Sequence, residues 1–350
     1  MSYEFCDKLK EFKPYTAEKS DGFKIKMDAN ESFVSPNEEF SAVVKEAAAS
    51  VDLSRYPDPL CSELCSAFAG AYGSEGKYIT AGNGSDELIS LICGGFMQSG
   101  EKAMVITPDF LMYEFYLKLY GCEVVRYEKN DDFTFDVDDM ISSCKKQGCR
   151  MLIFSNPCNP TSIGLDRGTV RKIITGLENV LVVVDEAYMD FWDQSLIGEI
   201  ARYDNAILLR TCSKMMGLAA LRVGFAVANE KITGILRSIK SPYNVGGVSQ
   251  AIATAVISHN ELLERARRKI TVSRNELYLL MNDLSLSKNI KVFETRTNFV
   301  TVRMENAKQV YEGLRSESIL TRCFDGYLRI TACKKAQNRA LFEAMMRLCK

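Results

Sequence analysis

At 350 residues the chain is long enough to bury a sizeable core, and its 44 basic and 45 acidic side chains nearly cancel. That balance, with no Lys/Arg block of the kind that binds phosphate backbones, argues against a nucleic-acid partner. The charged opening "MSYEFCDKLKEFKPY" has no apolar signal-peptide region, and no later run approaches the roughly 18 uninterrupted apolar residues of a membrane span, so a cytoplasmic protein is expected.

In chain order, "ITAGNGSDELI" (79–89) reads as a strand, a glycine turn and a helix opening at Ser85 or Asp86. "AMVITP" (103–108), "MLIFSNP" (151–157), "VLVVVDEAY" (180–188), "AILLRT" (206–211) and "RVGFAVA" (222–228) follow as short apolar runs ending in polar or turn residues. Near-continuous apolar strands of this kind suit a sheet covered on both faces. Amphipathic stretches lie between them, such as "YEFYLKLYG", which stops at Gly121. The fold class is therefore α/β, with a mostly parallel central sheet.

Residues 248–284 read as one long or kinked helix leading out of the sheet. Beyond it, "IKVFETRTNFVTVRM" and "GYLRITAC" alternate like half-exposed strands, with helical "NAKQVYEGLRS" between them and a closing helix in "KKAQNRALFEAMMRLCK". The expected division is a large domain over residues 30–255 and a smaller α+β domain from residues 1–29 and 256–350.

Twelve cysteines fall at irregular spacings without a CxxC, and His259 is the one histidine, so free thiols in a reducing compartment and no metal site are expected. His259, Trp192 and Cys212 read as structural.

Ligands of open α/β sheets sit outside the carboxyl ends of the strands, which directs attention to the residues ending each run. Asp185 follows five apolar residues; it either caps the next element or meets a cation or proton donor. Asn156 and Asn159 each precede a proline, which is turn chemistry first. The glycine turn before Ser85 and Asp86 suits an anion, although many α/β loops look alike and the GK[ST] ending of a Walker loop is absent. Lys214 follows a Thr211-Cys212-Ser213 turn and precedes "MMGLAAL", a setting in which an ammonium loses charge and becomes nucleophilic. One ligand serves all these groups: a pyridine aldehyde with a phosphate tail, bound as a Schiff base to Lys214, with Asp185 on the ring nitrogen and Ser213, Arg222 and the Ser85/Asp86 turn around the phosphate.

Nine motifs in order carry a resemblance: "DANES" (28–32), "RYPDP" (55–59), "GNGSDELI" (82–89), "NPCNPT" (156–161), "VVDEAYMDF" (183–191), "RTCSKMMGLAALRVG" (210–224), "SPYNV" (241–245), "TNFV" (297–300) and "YLRIT" (327–331). The chain resembles the fold-type I pyridoxal-phosphate aminotransferases, in particular their histidinol-phosphate branch. The resemblance implies that Lys214 holds pyridoxal 5'-phosphate covalently and moves the substrate proton. It further implies that Asp185 keeps the ring nitrogen protonated, that Tyr188 and Asn159 bond the phenolic oxygen, and that Phe110 stacks on the ring where the family usually has tyrosine. Ser85, Asp86, Thr211, Ser213 and Arg222 are implied around the phosphate, together with Tyr56 from the neighbouring subunit of a homodimer. Arg329 is implied to grip an anionic substrate group, with Asn30, Tyr15 and Arg322 as neighbours.

The sequence departs from the family's pattern at Cys158 and Ser162, where asparagine and glycine are common, in "NESFVSP", which lacks a proline after its NE pair, and in "TACKKAQN". The implied reaction is transamination of L-histidinol phosphate with 2-oxoglutarate. Alternatives are decarboxylation of L-threonine phosphate on the same scaffold, transamination of other aromatic or phosphorylated amines and, from another class, a cofactor-sensing DNA-binding regulator. About thirty residues before the first motif are too few for a winged helix.

Overall fold

The structure, a computed structural model, describes Phe12 and residues 22–349. Among these, a short strand β1 (Ile25–Lys26) precedes seven strands that form the central sheet: β2 (Ile79–Asn83), β3 (Lys102–Thr107), β4 (Glu123–Glu128), β5 (Cys149–Ser155), β6 (Leu181–Asp185), β7 (Ala206–Thr211) and β8 (Val223–Ala228). Their spatial order is β2-β8-β7-β6-β5-β3-β4. The pairs among β4, β3, β5, β6 and β7 are parallel, while β8 runs antiparallel to both of its neighbours.

The sheet thus has the expected mostly parallel form, and β5 to β8 are almost wholly buried, as apolar runs flanked by helices on both faces must be. The edge strand β4 gave no apolar signal because Glu123, Arg126 and Glu128 interrupt it, all three exposed.

The remaining strands are β9 (Lys291–Val292), β10 (Phe299–Arg303), β11 (Ile319–Leu320), β12 (Arg322–Phe324) and β13 (Tyr327–Thr331). β12, β13, β10 and β9 make an antiparallel sheet backed by the helices Ala307–Ser316 and Lys335–Leu348. The stretch expected as one long helix is two, Gly247–Ile257 and Asn260–Ser285, because the backbone at His259 leaves the helical region.

The second helix joins two cores. Leu263, Ala266 and Ile270 pack with the central sheet, and Leu277, Met281 and Leu284 pack with the small sheet and its helices. Met27, just beyond β1, also lies in the small core, so the early chain packs against the late chain. No helix among the described residues is long and apolar enough to cross a membrane.

Candidate active site

The parallel strands bring their carboxyl ends to one edge, and antiparallel β8 brings its amino end there. Residues separated by up to 301 positions meet at this edge. β3 runs into Phe110, β5 into Asn159, β6 ends on Asp185, β7 runs into Ser213 and Lys214, and Arg222 immediately precedes β8. β3 and β5 are neighbours at which the chain's progression through the sheet reverses, the place where open α/β sheets collect ligands.

Asp185 is 4% exposed, and burial pushes its carboxyl up to about 6, with the nearby Asp109 carboxylate adding to the effect. Two donors oppose that rise: the Tyr113 hydroxyl on Oδ2 at 2.8 Å and the Ala187 N–H on Oδ1 at 3.0 Å. Asp109 is itself buried and is held by the N–H and hydroxyl of Ser155. Asp185 thus caps the turn after β6 through the Ala187 N–H and keeps a buried carboxylate at the edge of the sheet.

Lys214 Nζ donates to the Ala29 carbonyl at 3.1 Å and lies 6.0 Å from the centre of the Tyr188 ring. Burial, reinforced by the Arg329 and Arg222 guanidiniums, depresses its ammonium to about 8, so a sizeable neutral fraction exists near neutral pH. Tyr188 is buried, which pushes its hydroxyl up to about 12. That hydroxyl accepts a 2.8 Å hydrogen bond from Asn30 Nδ2 and keeps its own hydrogen for donation.

Asn30 has φ 54°, and Thr331 Oγ1 donates to its side-chain oxygen at 3.0 Å. Both ends of its amide are thus engaged within the protein. Asn30 holds Tyr188 in place with one of its two amide N–H groups.

Asn159 Oδ1 accepts from Arg329 Nη1 at 2.6 Å, which leaves the asparagine's N–H groups to donate. Arg329 is 8% exposed and also donates to the Asp28 carbonyl. β12 pairs with β13 so that Arg322 lies directly across from Arg329, on the same sheet face.

At the other end of the site, Gly84 has φ 82°, and a Cβ there would lie 2.6 Å from Arg222 Nη2. A side chain at Gly224 would overlap the Ser85 backbone nitrogen. The two missing side chains let the Arg222 guanidinium and the first N–H groups of the helix Gly84–Phe96 converge on one spot, an anion cradle. Thr211 Oγ1 and Ser213 Oγ, 3.0 Å apart, are buried nearby at and just beyond the end of β7. The Asp86 carboxylate accepts from Tyr116 Oη at 2.8 Å, so an anion can draw only on its backbone N–H.

Phe110 meets Tyr113 edge to face with centroids 5.6 Å apart. Tyr56 stands outside this cluster: it is 82% exposed and stacked on Tyr243 at 4.6 Å. Tyr15 lies outside the described residues. Sequence reasoning missed Tyr113, three residues after Phe110; a tyrosine at that spacing gives no sign that it reaches Asp185. Among the described residues no cluster of His, Cys, Asp and Glu is suited to a metal ion.

A nucleophilic amine, a buried carboxylate, two phenolic-oxygen donors and an anion cradle fit pyridoxal 5'-phosphate, and the cradle exists because Gly84 and Gly224 carry no Cβ. Fold and site together define a fold-type I transferase that depends on pyridoxal phosphate.

Residues 23–345 match the model of the family described as aminotransferase class I and II. The chain is 37% identical over 339 residues to the histidinol-phosphate aminotransferase of Clostridium novyi, covering 95% of this chain and 94% of that one. It is also 37% identical over 348 residues to the enzyme of that name from Thermoanaerobacter pseudethanolicus, covering 98% and 97%.

Among solved structures, a histidinol-phosphate aminotransferase of Sinorhizobium meliloti in complex with pyridoxal-5'-phosphate superposes with a TM-score of 0.90 at 22% identity, covering 99% of this chain and 98% of that one. The L-threonine-O-3-phosphate decarboxylase of Porphyromonas gingivalis gives 0.79 at 20%, covering 92% and 98%. At those identities the structures share the fold alone. The chain belongs to the aminotransferase class I and II family.

Proposed function

We propose that this enzyme transfers the amino group of L-histidinol phosphate to 2-oxoglutarate, and that it works as a cytoplasmic homodimer. The observation that carries the substrate is the Arg322–Arg329 pair on one sheet face, with Arg329 linked through Asn159 to the cofactor side of the site. Two guanidinium-bearing residues on one sheet face suit a phosphate dianion. Full-length relatives bearing the histidinol-phosphate aminotransferase name support the same choice.

Bound in this site, pyridoxal phosphate supplies the electron sink that allows a bond to the amine's Cα to break. Lys214 Nζ, partly neutral through its depressed pKa, would take the proton from Cα and return it at the cofactor's C4′. The Asp185 carboxylate holds a proton on the ring nitrogen. Tyr188, steadied by Asn30, and Asn159, steadied by Arg329, donate to the phenolic oxygen. Ser85, Asp86, Thr211, Ser213 and Arg222 hold the cofactor phosphate, through backbone N–H groups, hydroxyls and the guanidinium. The ring of Phe110 stacks on the cofactor. Tyr56, exposed in the single chain, reaches the phosphate of the neighbouring subunit.

The domain division proposed for this cycle is residues 30–255 against residues 1–29 with 256–350. Arg329 and Arg322 come from the small domain, and Lys214 and Asp185 from the large one.

A single half-reaction tests the function. L-Histidinol phosphate added without keto acid should bleach the cofactor's visible absorption and yield stoichiometric pyridoxamine phosphate. Carbon dioxide release from L-threonine phosphate, with no pyridoxamine phosphate from histidinol phosphate, would overturn transamination in favour of decarboxylation.

A further inference from the structure

Tyr113 belongs to none of the motifs above by role, yet it is fully buried and touches two groups that face the cofactor site. Its hydroxyl donates to Asp185 Oδ2 at 2.8 Å, and its ring meets the edge of Phe110 at 5.6 Å with an interplanar angle of 82°. It stands on the helix Met112–Leu119, which packs on β3 and β4, so its position is set by the core of the large sheet and not by any ligand. A phenol in so dry a place requires a partner, and a carboxylate is the strongest neutral-donor partner available.

We propose that Tyr113 is a positioning residue for the amino-group transfer, fixing Asp185 in its charged form and Phe110 at its stacking angle, and so coupling the group beneath the ring nitrogen to the group on the ring face. The inference rests on the proposed function, since it concerns how the cofactor's two neighbours are held.

The groups around Asp185 decide what the hydroxyl does. Asp109, from the loop after β3, disfavours the charged carboxylate. Lys214, from the loop after β7, favours it, and Tyr188 lies near on the same loop as Asp185 itself. Among the described residues the side-chain donor to the Asp185 oxygens is the Tyr113 hydroxyl, the largest influence opposing burial; the Ala187 N–H adds a backbone donor on the other oxygen. Removing the hydroxyl therefore pushes the Asp185 carboxyl higher, toward the protonated form that cannot hold a ring proton.

The test uses the full-length protein with pyridoxal phosphate. Tyr113→Phe should melt close to wild type, bind the cofactor about tenfold more weakly by visible absorption, and show an acid limb of the half-reaction moved up by about one pH unit. In an Asp185→Asn background, Tyr113→Phe should change neither quantity, because the partner through which it acts is gone. Should Tyr113→Phe fail to fold, a ring-fluorinated tyrosine at 113 keeps the shape while strengthening the donor, and it should move the acid limb down.

An unmoved limb and unmoved affinity in a folded Tyr113→Phe protein, or an unmoved limb with the fluorinated residue, would overturn the inference. Wild-type protein that takes up no pyridoxal phosphate would instead overturn the function on which it rests.

Discussion

Arg322 and Arg329 stand directly across from each other in the β12–β13 pair, two like charges at a position where opposite charges stabilise a ladder. An anion bound by both would offset that repulsion. Arg322→Ala should therefore raise KM for histidinol phosphate roughly tenfold to a hundredfold, the worth of a charge-assisted hydrogen bond. KM for unphosphorylated histidinol should barely change. Steady-state kinetics on the two amines makes the comparison, and equal effects on both would remove Arg322 from phosphate recognition.

Lys214 must be neutral to attack the cofactor aldehyde, and its depressed pKa puts that change near pH 8. The rate of pyridoxal phosphate capture by the apo-protein should climb with pH below about 8 and level above it, when followed by stopped-flow absorption. Arg329→Ala removes one of the cations that depress the pKa, so the midpoint should move to higher pH. Lys214→Ala should abolish the half-reaction.

Asp185 costs stability in the empty protein. Its carboxyl is raised from 3.8 to about 6, so the folded state holds the proton more tightly than the unfolded state does. Stability therefore falls as pH rises from about 4 to about 6, and the full penalty persists above. Apo Asp185→Asn should be more stable than apo wild type by on the order of 2 kcal/mol at pH 7.5, an advantage that fades below about pH 4. Denaturant unfolding at the two pH values reads this directly. The same variant should lose most transaminase activity.

The two glycines of the anion cradle should respond differently to alanine. At Gly224 the new Cβ meets backbone of Ser85 and Gly84, which cannot rotate away, so Gly224→Ala should lose cofactor binding and melt lower. At Gly84 the new Cβ meets the flexible end of Arg222, and the φ of 82° adds about 1–2 kcal/mol of strain. Gly84→Ala should weaken cofactor binding while leaving a folded protein. Cofactor titration and thermal melts on both variants separate the cases.

The proposed composite sites of a homodimer predict complementation. Tyr56→Ala and Lys214→Ala proteins, each with low activity, should regain activity when mixed and allowed to exchange subunits, because one site of the mixed dimer then carries neither change. No recovery in verified mixed dimers would assign Tyr56 a role within its own subunit or none.

The sequence by itself determined the sheet and the identity of the groups at its edge. Five apolar runs became β3, β5, β6, β7 and β8, since a strand buried on both faces must be apolar throughout and so announces itself. Asp185, Asn159 and Lys214 were legible because polar residues at the ends of such runs have one place to go. β4 and β12 were not legible, as edge and half-exposed strands carry charges that hide the apolar signal. The helix break at His259 left no proline or glycine to mark it.

Only the tertiary structure decided which residues meet. That Asn30 steadies Tyr188, that Arg329 reaches Asn159 and that Tyr113 reaches Asp185 are contacts across 158, 170 and 72 positions. Local propensity acts within a turn or a strand and carries no information over such distances. These pairings are fixed by the packing of helices on the sheet and of the small core against the large one, which sets side-chain direction to within a hydrogen-bond length.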